Sequence, residues 1–147
     1  MNQKQLITFA SRIFITISAL SFFSVSILAF LSPVQVMDLV KTPLPNTDAV
    51  SSIRGVYGGA GLTIAIVLIY LAIKDSRKGL VMLMMLWGFY ALSRAITIFA
   101  EGPLGDFGMQ WIALESIAFA VASILLFLDV KYVPRKNANS FYFHSIL

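Results

Sequence analysis

Three ionisable side chains lie inside long apolar stretches of the sequence, where a charge needs a specific reason to be present. They are Arg54, Arg94 and Glu115. Arginine presents a planar fork of N–H donors that matches a phosphate or a carboxylate, and a glutamate can pair with it or transfer a proton. Charged side chains inside a membrane usually mark an ion pair, a ligand site or a proton path. These residues are therefore the first candidates for chemistry.

Arg54 opens the segment RGVYGGAG, residues 54–61, whose glycines resemble those of a phosphate-binding loop. The segment lacks the GxxxxGK(S/T) pattern and no strand precedes it, so a phosphate loop is not expected. Small residues instead allow a second helix to approach closely in lipid. The segment therefore predicts a helix-packing surface formed by Gly55, Gly58, Gly59 and Gly61. Small hydroxyls in the first apolar stretch offer a partner surface: Ser11, Ser18 and Ser21.

The composition indicates the class of protein. The chain has 147 residues, of which 59% are hydrophobic and 12% are charged, whereas a soluble domain carries about 25% charged residues. These values indicate a membrane protein. The sequence has no cysteine and one histidine, His144, so it predicts no disulfide, no metal site and no haem or iron–sulfur cofactor. The net charge of +4 is explained by lysines and arginines placed on one side of the membrane, as described below. No nucleic-acid partner is therefore expected.

Four apolar stretches are long enough to cross a membrane, which takes about 20 residues of helix. Because no backbone group can stay unpaired in lipid, each stretch is predicted to be a helix. The predicted spans are residues 6–31, 52–73, 80–100 and 107–130. The first begins with Lys4 and Arg12, as a signal peptide would, but its apolar part is longer than a signal peptide's and no A-x-A site follows. We therefore expect an uncleaved span.

The distribution of lysine and arginine predicts how the spans are oriented, since short cytoplasmic loops are rich in these residues. One side holds Lys4, Arg12, Lys74, Arg77, Lys78, Lys131, Arg135 and Lys136. The other side holds Lys41 together with Asp38, Asp48, Glu101 and Asp106. Both termini are therefore expected in the cytoplasm. The short connections favour an all-α, up-down-up-down four-helix transmembrane bundle, with a single domain over residues 1–133 and a short cytoplasmic tail over 134–147.

Arg94 and Glu115 are equally far from the centre of the turn between the third and fourth spans, which lies between residues 104 and 105. In an antiparallel hairpin, residues equidistant from the turn lie at the same depth. Both would lie about 10 Å below the outer end of the bundle, which Glu101 marks. An isolated charge at that depth is costly, whereas a paired one is tolerated. We therefore predict an interhelical ion pair, either as a structural clamp or as part of a polar pocket.

Aromatic side chains share the helix faces that carry this pair. Trp87 and Tyr90 lie on the stripe of Arg94, and Trp111 lies on the corresponding stripe of the fourth span. Arg54 would lie about 7 Å nearer the outer surface than Arg94 and could reach the same glutamate or a lipid phosphate. The excess positive charge would attract the phosphate, carboxylate or carbonyl oxygen of a ligand. The hypothesised ligand site comprises Arg54, Tyr57, Trp87, Tyr90, Arg94, Trp111 and Glu115.

The segments IRGVYGG, SRAITIFAEGP and ALES resemble an uncharacterised bacterial family, domain of unknown function 4345. The resemblance covers most of the chain and rests on Arg54, Gly58, Gly59, Arg94, Gly102, Pro103 and Glu115. A more distant likeness is to the DoxX-type four-span proteins. The family implies a small multi-pass protein of the bacterial inner membrane with four helices, and it implies no known reaction.

Four functions remain open from the sequence. The first is a binding or accessory protein whose outer-half pocket takes a membrane lipid or another small amphiphile, such as a quinone or terpenoid. The second is a structural subunit whose glycine-rich helix packs against a second copy or another membrane protein. The third is an enzyme that uses Glu115, although a carboxylate held ionised by arginines is a poor proton donor at neutral pH. The fourth, a channel or transporter, has little polar lining in four short helices.

Overall fold

The computed structural model describes residues 2–134, and all the regular structure in that range is helical. Four helices are long and apolar enough to cross a membrane: α1 (Gln3–Leu31), α2 (Thr47–Lys74), α3 (Ser76–Glu101) and α4 (Asp106–Tyr132). They confirm the four predicted spans and extend each of them at one or both ends. A short helix, Pro33–Asp38, lies in the connection between α1 and α2. The predicted tail from residue 135 onward lies outside the described residues.

Polar side chains cap the starts of three long helices. The Asn2 side chain accepts a hydrogen bond from the backbone N–H of Gln5, whose own side chain accepts one from the backbone N–H of Asn2. This reciprocal arrangement is a capping box. Asn46 caps the start of α2, and Asp75 accepts a hydrogen bond from the backbone N–H of Lys78 at the start of α3. Asp75 is also the single residue that connects α2 to α3.

α3 and α4 pack antiparallel and are joined by residues 102–105. Arg77, near the start of α3, contacts Asp129, near the end of α4. Gly102 has a φ of 109°, a backbone conformation that residues with side chains rarely adopt, so this turn requires a glycine. We call the end of the bundle that holds the α2–α3 connection the Asp75 end, and the end that holds the α3–α4 connection the Gly102 end.

Small residues fill much of the interior, while many large apolar side chains point outward. Buried small residues include Ser11, Ser18, Ala19, Ser26, Ala29, Ala65, Ala72 and Ala122. Phe99 is 90% exposed, and Phe89 and Phe127 are each 63% exposed. In water such a surface would drive association with other molecules. In lipid it is the expected arrangement, because helices there associate through close packing of small residues.

α1 and α2 approach closely at two of the four glycines predicted to pack. A Cβ added at Gly61 would collide with Ser26 Oγ, and one added at Gly58 would lie 3.0 Å from the ring of Phe30. A Cβ added at Gly55 or Gly59 would meet no atom of the described chain within 4 Å. Gly58 and Gly61 therefore pack against α1, whereas the other two glycines leave an open surface.

The serines of α1 differ in part from the predicted partner surface. Ser11 and Ser18 are buried as expected, but Ser21 is exposed, and Ser26 is the serine that meets the glycines. Ser11 Oγ donates to the backbone carbonyl four residues earlier at 2.8 Å, and Ser26 Oγ does the same at 2.7 Å. These bonds satisfy the hydroxyls inside the helix, where no water is available in lipid.

Residues Arg54–Ala60 form a π-helical segment inside α2, between the α-helical parts Thr47–Ile53 and Gly61–Lys74. Apolar spacing alone does not reveal one or two wider turns, so the sequence did not predict this segment. The wider turns shift the rotation of Arg54 and Tyr57 relative to the rest of α2. Stripes counted across this segment at 3.6 residues per turn are therefore unreliable.

We expect Gly61→Ala to lower the melting temperature of the purified protein and Gly59→Ala not to lower it. The added methyl at residue 61 meets Ser26 Oγ, and overpacking costs about 1–3 kcal/mol. At residue 59 the space is open, and alanine gains about 1 kcal/mol of helix propensity over glycine. Ser26→Ala should restore the stability of Gly61→Ala because it removes the obstructing hydroxyl. Equal melting temperatures for the two alanine variants in detergent would contradict this packing.

Candidate functional site

The predicted ion pair between Arg94 and Glu115 is present. Arg94 Nε donates to Glu115 Oε2 at 2.8 Å, and the side chains are 24% and 3% exposed, respectively. Helical rise explains the match, because residues equidistant from a short turn meet at the same level of an antiparallel pair. A charge-assisted hydrogen bond of this kind makes a buried carboxylate tolerable.

Arg94 uses one of its donors for this contact. Its two terminal amino groups, Nη1 and Nη2, donate to no other residue between 2 and 134. A guanidinium carries five N–H groups in a planar fork, so four remain for another acceptor. Because the side chain is about a quarter exposed, a ligand atom can approach these groups from outside the pair.

Aromatic side chains from α1 and α3 pack beside Arg94. The ring of Phe22 lies 5.4 Å from that of Trp87 and 6.4 Å from that of Tyr90, and the latter two rings are 6.3 Å apart. The Tyr90 hydroxyl is within electrostatic range of Tyr57, Glu115 and Arg94, so polar side chains of α2, α3 and α4 lie near one another here. The buried Trp87 Nε1 has no hydrogen-bond partner among the described residues.

Two residues of the hypothesised ligand site have contacts outside the rest of the set. Arg54 donates through Nε to the backbone carbonyl of Phe30 at 3.1 Å, at the end of α1, rather than to Glu115. The last carbonyls of a helix have no partner within it, so they are ready acceptors for a neighbouring arginine. Trp111 packs against Phe107 of its own helix, with ring centroids 5.9 Å apart. The other five, Tyr57, Trp87, Tyr90, Arg94 and Glu115, are linked through Tyr90 or through the ion pair.

A second arginine makes the reciprocal contact at the other end of the α1–α2 pair. Arg12 Nη2, near the start of α1, donates to the backbone carbonyl of Ile73, at the end of α2, at 3.4 Å. Arg12 and Arg54 therefore each bind the carboxyl end of the antiparallel neighbour, where the helix dipole favours a cation. The sequence analysis did not predict this pattern, although both arginines stand near a helix start.

Arg77 and Asp129 form an ion pair at the Asp75 end that the sequence analysis missed. Asp129 is 1% exposed and accepts from Arg77 Nε. Arg77 Nη2 also donates to the backbone carbonyls of Asp129 and Val133 at 3.0 and 2.7 Å. The two residues lie at similar distances from the turn at residues 102–105, so the count that found the first pair also points to this one.

An apolar groove of about 570 Å³ runs along α3 and is open to the exterior. Its walls are Lys78, Val81, Met82, Met85, Leu86, Phe89, Tyr90 and Ser93. Of the residues hypothesised to bind a ligand, Tyr90 is the one that lines it. The groove therefore touches the aromatic group at its Gly102 end and reaches a lysine at its Asp75 end. Within residues 2–134 no three acidic or histidine side chains are grouped to hold a metal ion.

Comparison with known proteins identifies a family. A family model described as "Domain of unknown function (DUF4345)" matches residues 10–127, which is most of the chain. Comparisons with curated proteins and with solved structures gave no match. The family match includes every residue on which the sequence resemblance rests and confirms that resemblance. The likeness to the DoxX-type proteins stays a prediction.

Proposed function

The chain belongs to the family described as a domain of unknown function (DUF4345), and we propose a function from its own geometry. The protein is a multi-pass protein of the bacterial inner membrane that binds the polar end of an amphiphile beside Arg94. One observation carries the proposal: Arg94 donates through Nε to Glu115, and its terminal amino groups have no partner among residues 2–134. No catalytic residue and no cofactor form part of it.

Several side chains around Arg94 carry N–H or O–H groups that can donate hydrogen bonds. Tyr57 and Tyr90, which are 41% and 43% exposed, each add a hydroxyl. The Trp87 N–H also lacks an acceptor in the described chain, but it is buried and not open to a ligand at the surface. Glu115 contributes a carboxylate that already accepts from the arginine. In lipid each donor needs an acceptor from the protein or from a ligand, and a ligand oxygen would supply one.

The charge balance favours an uncharged polar group on the ligand. The positive charge of Arg94 and the negative charge of Glu115 cancel, so the pair is electrically neutral as a unit. Arg54 donates to the end of α1 and not to this pair. A carbonyl oxygen can accept two N–H groups from the arginine fork without adding a net charge to a site in lipid. Phe22 and Tyr90 offer flat apolar walls for the rest of the molecule. A quinone, a terpenoid ketone or a lipid ester has this chemistry.

The same proposal includes an up-down-up-down topology with both termini in the cytoplasm. The described residues support it, because the Asp75 end carries most of the lysines and arginines, and the Gly102 end carries most of the acids. Arg94 then lies in the outer half of the bundle. The connection at Asp75 faces the cytoplasm.

Single-cysteine labelling should report this topology, since the chain has no native cysteine. A cysteine in place of the exposed Asn46 should react with an impermeant maleimide in intact cells. A cysteine in place of the exposed Lys74 should react after the membrane is opened and not before. The reverse pattern of labelling would contradict the orientation.

A structural role through α2 is a second candidate, and one observation favours it. Gly55 and Gly59 leave an open surface on which no described residue packs. A helix of a second copy or of another membrane protein could approach the backbone closely there. An enzyme that uses Glu115 is less favoured, since this carboxylate is 2% exposed and bound to Arg94.

Lipid extraction and mass spectrometry of purified protein test the ligand proposal. The wild type should retain one carbonyl-bearing amphiphile that is enriched over bulk membrane lipid. Arg94→Lys keeps a charge beside Glu115 but removes the fork, and Tyr90→Phe removes one hydroxyl. Arg94→Lys should lower retention about tenfold or more, because a hydrogen bond to a charged group contributes about 1.5–3 kcal/mol. Tyr90→Phe should lower it by a smaller factor, because a neutral hydrogen bond contributes about 0.5–1.5 kcal/mol.

Tyr70→Phe is the matched control, because Tyr70 is 60% exposed on α2 and lies toward the Asp75 end. It should retain the ligand at the wild-type level. Melting temperatures would show that all variants remain folded. Bulk lipid alone in every sample, or equal loss in the Tyr70 and Tyr90 variants, would contradict the proposed site and leave the structural role of α2 as the better candidate.

A further inference from the structure

Two basic side chains at the Asp75 end are already engaged within the chain. Arg77 binds Asp129 and two backbone carbonyls. The ammonium of Lys131 lies 5.1 Å from the ring centroid of Tyr132 and 5.9 Å from that of Phe127. Among residues 2–134, the positive charges of Arg77 and Lys131 are therefore less available to a ligand than those of cations without such contacts.

Three other basic side chains surround the place where α1, α2 and α3 meet. Arg12 donates one hydrogen bond to the backbone carbonyl of Ile73, and Lys74 is the next residue after Ile73. Lys74 makes no ion pair with any acid in residues 2–134. Lys78 lies 3.8 Å from Asp75, and its side chain is 75% exposed. Arg12, Lys74 and Lys78 therefore lie close to the single carboxylate of Asp75. The ion pair of Arg94 and Glu115 near the Gly102 end, in contrast, is neutral.

The apolar groove on α3 begins at this cationic cluster. Lys78 is its first residue, and Tyr90, near its other end, contacts Phe22 of α1. From Lys78 to Phe89 the helix rises about 16 Å, at 1.5 Å per residue. Half of a bilayer's hydrocarbon core is about 15 Å thick. The apolar part of the groove thus matches one acyl chain of one leaflet.

We propose that the Asp75 end of this groove binds a phospholipid with an anionic headgroup. The headgroup phosphate lies against Lys74 and Lys78, within reach of Arg12, and one acyl chain lies along Val81, Met85 and other groove residues toward Phe89. Lysines just outside the hydrocarbon attract anionic lipid, and an adjoining apolar groove makes the attraction site-specific. The headgroup end of this site is about 24 Å from Arg94 along α3. The far end of the groove adjoins Tyr90 of the proposed amphiphile site.

Native mass spectrometry of the detergent-purified chain can test this by titration with phosphatidylglycerol and with phosphatidylcholine of the same acyl chains. The wild type should bind phosphatidylglycerol more tightly. Lys74→Gln and Lys78→Gln should each weaken that binding about fivefold and weaken phosphatidylcholine binding less, because the choline ammonium offsets the charge of its phosphate. Lys131→Gln removes the same charge from the same end but from α4, and it should keep the preference.

A second pair of variants tests the groove itself. Met85 is 52% exposed in the groove and Ile96 is 57% exposed on the same helix outside it. Met85→Trp should weaken binding of both lipids, and Ile96→Trp should not. Equal affinity of the wild type for the two lipids, or an equal effect of Lys131→Gln and Lys78→Gln, would overturn the headgroup assignment. Equal effects of the two tryptophan variants would overturn the groove assignment.

Discussion

Two carboxylates are buried in a bundle whose outer surface is apolar, and each is balanced by an arginine of the neighbouring helix. Glu115 is 2% exposed and Asp129 is 1% exposed, so neither is hydrated. Removing the partner of a buried charge costs about 3–5 kcal/mol. Because Arg94 and Arg77 hold these carboxylates near opposite ends of the α3–α4 pair, a shift of one helix along the other would break both contacts. The packing of α3 on α4 therefore depends on them.

The two arginines differ in how completely the chain uses their donors, and that difference separates a structural site from a candidate binding site. Arg77 donates to a carboxylate oxygen and to two backbone carbonyls, as expected of a purely structural contact. Arg94 donates to one carboxylate oxygen and lies one helical turn from Tyr90, which is 43% exposed. A membrane offers no water to complete such a group, so unused donors at Arg94 point to an acceptor supplied from outside the chain.

The features that depend on helical rise alone were predictable from the sequence. Apolar length gave the four spans, and counting from the α3–α4 turn placed Arg94 opposite Glu115. Features that depend on helix rotation were not predictable. Spacing shows which residues share a face but not which neighbour that face meets, so it could not separate Gly58, which packs against α1, from Gly59, which meets no described residue. The π-helical segment also altered the rotation of Arg54, which donates to a backbone carbonyl of α1 rather than to Glu115.

A double-mutant cycle on Arg94 and Glu115 tests most directly whether this pair governs the packing. The free energy of unfolding in detergent would be measured for the wild type, Glu115→Ala, Arg94→Leu and the double variant. Each single variant should lose about 3–5 kcal/mol, because it leaves one buried charge unpaired. The double variant should recover part of the loss, since it leaves none. Losses that simply add would show that the two side chains act independently and would contradict the account.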